Sequence, residues 1–176
     1  MRKRILLYHI IGAVFATIFG SLLHFIYEIS GYFKPVALIG AVNESTWEHL
    51  KIAFWPVFVF LLIEYFVYGK NIKNFYFAKT KQLYATLILI IVLFYGYTAL
   101  IKHNLFLDIF IFILAIVIGY IISYKILFWE KDFSGRKFLT IGLAIILVLA
   151  FSLFSYFPLK NFLFLDPVSG LYGIIK

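Results

Sequence analysis

Long apolar runs alternate with short polar joints along this chain, and the runs are too long for the core of a soluble domain. A helix needs roughly 20 mostly apolar residues to cross about 30 Å of hydrocarbon. Five segments meet that test: Ile5 to Tyr27, a second from about residue 46 to Tyr68 that is strongly apolar from Ile52, Leu83 to Ile101, Phe106 to Phe128, and Phe138 to Phe157. The pattern predicts an all-α polytopic bundle of five transmembrane helices, a single membrane-embedded unit over residues 1–176. The first run follows Arg2, Lys3 and Arg4, as a signal peptide would. A signal's apolar region, however, covers only roughly 7–15 residues and ends at a small-residue cleavage site. This run continues through His24, Phe25 and Tyr27, and so reads as a retained helix.

Most joints are short. Residues 28 to 45 are the exception, with Gly31, Pro35 and Gly40 around the brief stretch Val36 to Ile39, too short to span. The tail after Pro158 is interrupted by Asp166-Pro167, Gly170 and Gly173, and predicts no sixth crossing. No internal repeat is visible, so a transporter built from two similar halves gains no support.

Composition removes whole classes of function. With 64% hydrophobic and 14% charged residues, the chain departs from the roughly half apolar and one-quarter charged usage of soluble domains. The same aliphatic and aromatic content excludes disorder. The lack of cysteine removes disulfides, thiolate ligands and thiol nucleophiles. The net charge of +8 forms no stripe suited to nucleic acid. It lies between the apolar runs, where it sets orientation. An N-terminus inside places eleven Lys and Arg residues on the cytoplasmic side, against Lys34, Lys51, Lys102, Lys160 and Lys176 outside with the C-terminal tail. Acids lean the other way, with Glu28, Glu44, Glu48, Asp108 and Asp166 outside. His24, His49 and His103 share that side; His9 lies about 22 Å away along the first helix.

Candidate chemistry concentrates there in three motifs. The run Asn43-Glu44-Ser45-Thr46-Trp47-Glu48-His49 contains Ser45 followed three residues later by Glu48, a capping-box pattern. Capping accounts for Ser45 and Glu48 but leaves His49 unexplained. His24 and Glu28, four residues apart, share one helical face. Imidazoles and carboxylates on adjoining helix ends are the ligand set of a zinc or similar divalent site. Asp166 stands in Asp166-Pro167-Val168-Ser169-Gly170-Leu171-Tyr172-Gly173, which also reads as a plain turn. Farther in, Glu64 and Lys125 each sit about a turn from the cytoplasmic end, where they can snorkel or pair, and both read as structural. Pro56 should kink the second helix and free the Ile52 carbonyl. Gly12, Ala16 and Gly20 form a small-residue ridge suited to close packing, within the bundle or against a membrane-protein partner.

The NExxWEH run at residues 43–49, with His24-Phe25-x-Tyr27-Glu28 before it and Asp166-Pro167-x-x-Gly170-x-Tyr172-Gly173 at the end, resembles a family of small bacterial membrane proteins classed only as a domain of unknown function. The likeness covers nearly the whole chain. It implies a bacterial cell membrane and the same three motif positions, and brings no activity with it.

The resulting expectation is an outward-facing polar pocket binding a divalent metal such as zinc, or a small polar ligand or lipid headgroup. His24, Glu48 and His49 are the expected ligands, and Glu44 or Glu28 the base of a membrane-embedded hydrolase. Asp166, Asn43 and Tyr172 would support them. The alternative is a non-catalytic solute-capture or accessory subunit of a transport complex. A channel or secondary transporter ranks third, because the sequence shows no charge pair at mid-membrane.

Overall fold

The computed structural model describes residues 1–175. Five helices carry the fold: α1 (Arg2–Ile29), α2 (Thr46–Val67), α3 (Phe75–Thr98), α4 (Leu105–Leu127) and α5 (Lys137–Leu153). Counting the turn that leads into α5, all five are long and apolar enough to cross a membrane. The sole β pairing among the described residues is a single bridge between Leu165 and Tyr172.

Local chemistry sets the helix limits. Helix α1 stops where Ser30, Gly31 and Tyr32 turn the chain. The Ser30 hydroxyl donates to the Tyr27 carbonyl, and Gly31 and Tyr32 take positive φ. Helix α4 starts at Asn104, whose side-chain oxygen accepts from the amides of Phe106 and Leu107. Helix α2 starts at Ser45, whose hydroxyl accepts the Glu48 amide.

Helix α1 packs on α2 and α4, and α3 packs on α4, α2 and α5. The small-residue ridge makes the first of these contacts possible. Gly12, Ala16 and Gly20 are all buried, and a Cβ on Gly12 would stand 2.6 Å from the Phe60 ring. The ridge therefore serves packing inside the bundle. Pro56 acts through the same contact. A Cβ on Gly20 would lie 2.9 Å from the Ile52 carbonyl oxygen, so the carbonyl freed by proline faces the bare α-carbon of α1. Leu50, Phe54, Val57 and Phe60 of α2 meet Leu83, Leu87 and Ile90 of α3 and Ile116 of α4 in the main core.

The outside of the bundle is equally apolar. On α1, Leu6, Ile10, Val14, Ile18 and Leu22 are exposed, and on α4, Ile109, Ile113, Val117 and Ile121. Soluble monomers rarely expose contiguous apolar patches beyond a few hundred Å².

Helix α3 begins two turns before the expected Leu83. The added turns carry the polar residues Lys79, Thr80 and Gln82, and all three are buried and partnered. The Lys79 ammonium reaches Glu64 Oε2 (2.5 Å), Gln82 Oε1 (3.1 Å) and His9 Nε2 (3.5 Å). Glu64 also accepts from the Tyr68 hydroxyl at 2.5 Å. His9 Nδ1 lies 3.0 Å from the Ile5 carbonyl, so an Nδ1–H tautomer leaves Nε2 free to accept from Lys79 or Ser123. Of the two ways expected for Glu64, snorkelling or pairing near the end of α2, the structure shows pairing: Glu64 and Lys79 form a buried ion pair, each about one turn from its helix end at Val67 and Phe75. Helix α5 ends at Leu153, a turn before the expected Phe157.

Candidate metal centre

The opposite end of the bundle gathers the C-terminus of α1, the start of α2 and the tail. A second buried ionic network organises it. Glu48, 1% exposed, meets Lys51 Nζ at 2.5 Å and accepts from the Ser155 hydroxyl (2.7 Å) and the Val42 amide (3.1 Å). Lys51 completes its three donors on the Ala37 carbonyl (2.8 Å) and Ser155 Oγ (2.6 Å). The network ties α2, the turn at Lys34–Leu38 and the end of α5 together. It also revises the capping box. Ser45 caps through its hydroxyl, but the Ser45 amide donates to Asn43 Oδ1 (2.9 Å) while the Glu48 carboxylate turns inward.

Successive residues on a helix are about 100° apart, so when Glu48 points inward His49 points away from the core. There it meets His24 of α1 and Glu44 of the preceding loop. Glu44 Oε2 lies 3.5 Å from His24 Nε2 and 3.6 Å from His49 Nε2. The two imidazoles stand edge to face with centroids 5.2 Å apart. One ligand atom from each of the three residues falls within 4.8 Å of the others. Two ligands each about 2.1 Å from a tetrahedral zinc stand roughly 3.4 Å apart, close to both carboxylate–imidazole distances. All three groups are partly open to solvent.

His49 is oriented in advance. Its Nδ1 lies 2.9 Å from the Ser45 carbonyl, an acceptor only, so Nδ1 carries the proton; Nε2 then offers Glu44 a lone pair in the neutral imidazole and a proton in the imidazolium. Second contacts of this kind fix the tautomer of metal-binding histidines. Glu44 is held below the usual carboxylate range, first by its hydrogen bond from His24 and then by the charges of His24, His49 and His103, against some opposition from burial. His103 belongs to an adjoining arrangement at the turn between α3 and α4. Its Nε2 lies 2.7 Å from Asp108 Oδ2, and the other Asp108 oxygen takes the Tyr97 hydroxyl.

Of the expected residues, His24, Glu44 and His49 come together. Glu48 lies in the buried pair with Lys51, on the opposite side of the first turn of α2. Glu28 is exposed, one turn beyond His24 on α1. Glu44, expected as the base, lies within 4.8 Å of the His24 and His49 ring nitrogens. Asn43 donates to the Gly173 carbonyl (2.8 Å) and so ties the tail to the α2 start. Asp166 is buried in its own turn, accepting from the amides of Val168 and Ser169. Tyr172 pairs with Leu165 and closes that turn. The tail thus braces the loop bearing Glu44, and the Trp47 ring, stacked between Phe151 and Phe164 at 4.5 Å each, anchors it. Gly173 is required here. Its φ is +67°, and a Cβ would stand 2.8 Å from the Ser155 carbonyl oxygen.

The sequence from residue 2 to residue 174 matches the model of a family of unknown function, DUF6512. The chain belongs to that family. No curated protein and no solved structure matches it. The match spans the α1 end, the loop and the tail, so all three site motifs of this DUF6512 chain lie within the family's extent.

Proposed function

We propose that this DUF6512 protein is a multi-pass protein of the bacterial cell membrane that binds a divalent metal ion such as zinc through His24, Glu44 and His49. The N-terminus is cytoplasmic and the metal centre faces the other side. Lys51 and Lys79 are buried and paired, yet the basic bias survives without them. Ten exposed Lys and Arg side chains remain at the N-terminal end, against Lys34, Lys102 and Lys160 at the other, among the described residues. Retaining positive loops inside gives this orientation.

One observation carries the metal reading. With its Nδ1–H donated to Ser45, His49 presents a lone pair to a carboxylate oxygen 3.6 Å away. In the neutral tautomer two acceptors face each other, and a cation between them, a proton or a metal ion, resolves the repulsion; the metal is favoured because His24 Nε2 reaches the same carboxylate oxygen. Three protein ligands leave a fourth position for water or substrate, as in catalytic zinc sites. A metal lowers the pKa of bound water, so the reaction class it would support here is hydrolysis. His103, held by Asp108, is the candidate proton acceptor.

The test is metal titration of purified protein by calorimetry, alongside elemental analysis. Wild type should bind about one zinc per chain. His49→Ala and Glu44→Gln should each weaken binding by at least tenfold, while Glu28→Gln leaves it unchanged. Equal binding by wild type and His49→Ala removes the reading.

A further inference from the structure

The N-terminal end carries two adjoining cavities that the metal centre does not use. One, of about 320 Å³, opens among the end of α2, the Gly69–Asn71 turn and the starts of α3 and α5. Lys70, Lys73 and Lys137 line it, with Asn71 and Ser134 among the neutral polar groups. The other, of about 300 Å³, is a groove between α2 and α5 floored by α3. Its walls include Phe58, Leu61, Ile141, Ala144, Ile145 and Val148. Tyr65 and Tyr76, ring centroids 5.8 Å apart, line both cavities. Along α5 the groove runs from Ile141 to Val148, about 10 Å at 1.5 Å per residue. Each space lies at the lower end of the roughly 300–1,000 Å³ range of ligand sites.

We infer that the two cavities form one binding site for an anionic phospholipid, its phosphate among Lys70, Lys73 and Lys137 and an acyl chain in the groove between α2 and α5. A basic chamber joined to an apolar one matches an amphiphile with a negative head, and neither a soluble anion nor a neutral hydrocarbon would use both. The lysines are exposed and held over aromatic faces: Lys137 lies 4.8 Å from the Tyr76 ring centroid, and Lys70 lies 4.8 Å from that of Phe66. Lys73 has an acidic neighbour, Asp132 at 3.7 Å, but both are half exposed. Arg136 and Lys131, stacked on Phe133, add positive charge at the rim. Lys79 also lines the groove, and its ammonium is engaged by Glu64, Gln82 and His9. The proposed topology puts this end at the cytoplasmic leaflet, where basic pockets between helices meet anionic headgroups. The site does not depend on the metal centre.

The experiment uses full-length protein in nanodiscs of equal parts phosphatidylglycerol and phosphatidylcholine with identical acyl chains, released for native mass spectrometry. Wild type should retain phosphatidylglycerol about tenfold over phosphatidylcholine. Lys70→Gln/Lys73→Gln/Lys137→Gln, all at exposed positions, should bring that ratio close to one. Ala144→Phe, which fills the groove, should reduce retention of both lipids. Soluble glycerol phosphate in excess should not displace the bound lipid, and displacement would mean that the head alone is recognised. That result overturns the inference, as does equal retention of the two lipids by wild type. A lipid-free dimer that Ala144→Phe breaks overturns it in favour of a helix from a second copy in the groove.

Discussion

Replacing Lys79 by methionine isolates the energetics of the buried pair near the N-terminal end. Methionine matches the aliphatic stem and removes the ammonium, so packing changes little while three hydrogen bonds disappear together. Glu64, fully buried, then keeps only the Tyr68 hydroxyl and a 3.3 Å approach to His9 Nδ1, whose proton is already directed at Ile5. Breaking a buried ion pair from one side typically destabilises by about 3–5 kcal/mol, because an uncompensated charge remains. Removing both partners behaves differently. A pair replaced by neutral groups of similar volume is often nearly neutral, since desolvation of two ions offsets much of their attraction. Glu64→Gln/Lys79→Met should therefore recover most of the loss, because the side-chain amide oxygen then at position 64 still accepts from Tyr68.

The assay is reversible unfolding of wild type, Lys79→Met and the double variant in one detergent, followed by tryptophan fluorescence. The expected order is wild type close to the double variant and both well above Lys79→Met, with the double variant recovering about 2–4 kcal/mol of the single variant's loss. A single variant within about 1 kcal/mol of wild type would refute the reasoning. So would a double variant no better than the single, because the loss would then come from packing at position 79.

Four further outcomes follow from named contacts. Gly12→Ala pushes a methyl to 2.5 Å from the Tyr120 hydroxyl and 2.6 Å from Phe60, and should destabilise by about 1–3 kcal/mol in thermal unfolding. Asn74→Ala removes a buried side chain that donates to the Lys131 carbonyl (3.0 Å) and accepts from the Phe133 amide (2.9 Å). It should lower stability by about 1–3 kcal/mol and speed proteolysis between α4 and α5. Glu44 has a folded pKa below its ordinary 4.5, so its contribution is full above that value and fades as pH falls through the depressed one. Glu44→Gln should flatten the acid side of the stability curve, and an unchanged curve would show that the contact to His24 is energetically idle. For metal binding the sign is opposite to a gain on acidification. Protons compete for both imidazole nitrogens, so zinc affinity should fall as pH is lowered.

The helices were legible because hydrophobic run length is a local property, and the structure moves their ends by only a few residues except at α3. That exception has a definite cause. Lys79 and Gln82 look like solvent-facing residues until Glu64 and His9, on two other helices, are known to stand opposite. Such pairing is a tertiary fact that no window of sequence contains. One signal was available: Glu64 and Lys79 each lie about one turn from the facing ends of α2 and α3. Glu48 and Lys51, at i and i+3 on α2, offered a similar local hint, and both are tied to Ser155 beyond α5. The metal motif was legible in part for the same reason. Residue types and the shared end of the bundle follow from topology, but which acid reaches the imidazoles depends on how the loop before α2 enters the helix.

That entry decides between Glu44 and Glu48, and it follows from one turn of geometry. A helix that must present an imidazole outward at residue 49 necessarily turns residue 48 by about 100° toward its neighbours. A carboxylate sent into the bundle needs a cation and further donors, and Lys51, Ser155 and the Val42 amide supply them. The carboxylate left for the histidines must then come from before the N-cap, where the backbone is not yet helical and Asn43 pins the loop to the tail. The ionic network and the ligand cluster are thus two consequences of one helix start, and they separate experimentally. Glu48→Gln should lower stability by orphaning Lys51, and zinc affinity should fall only as far as the loop loosens. Glu44→Gln should abolish tight zinc binding in a protein that still folds. Loss of zinc in both with stability intact would place Glu48 among the ligands after all.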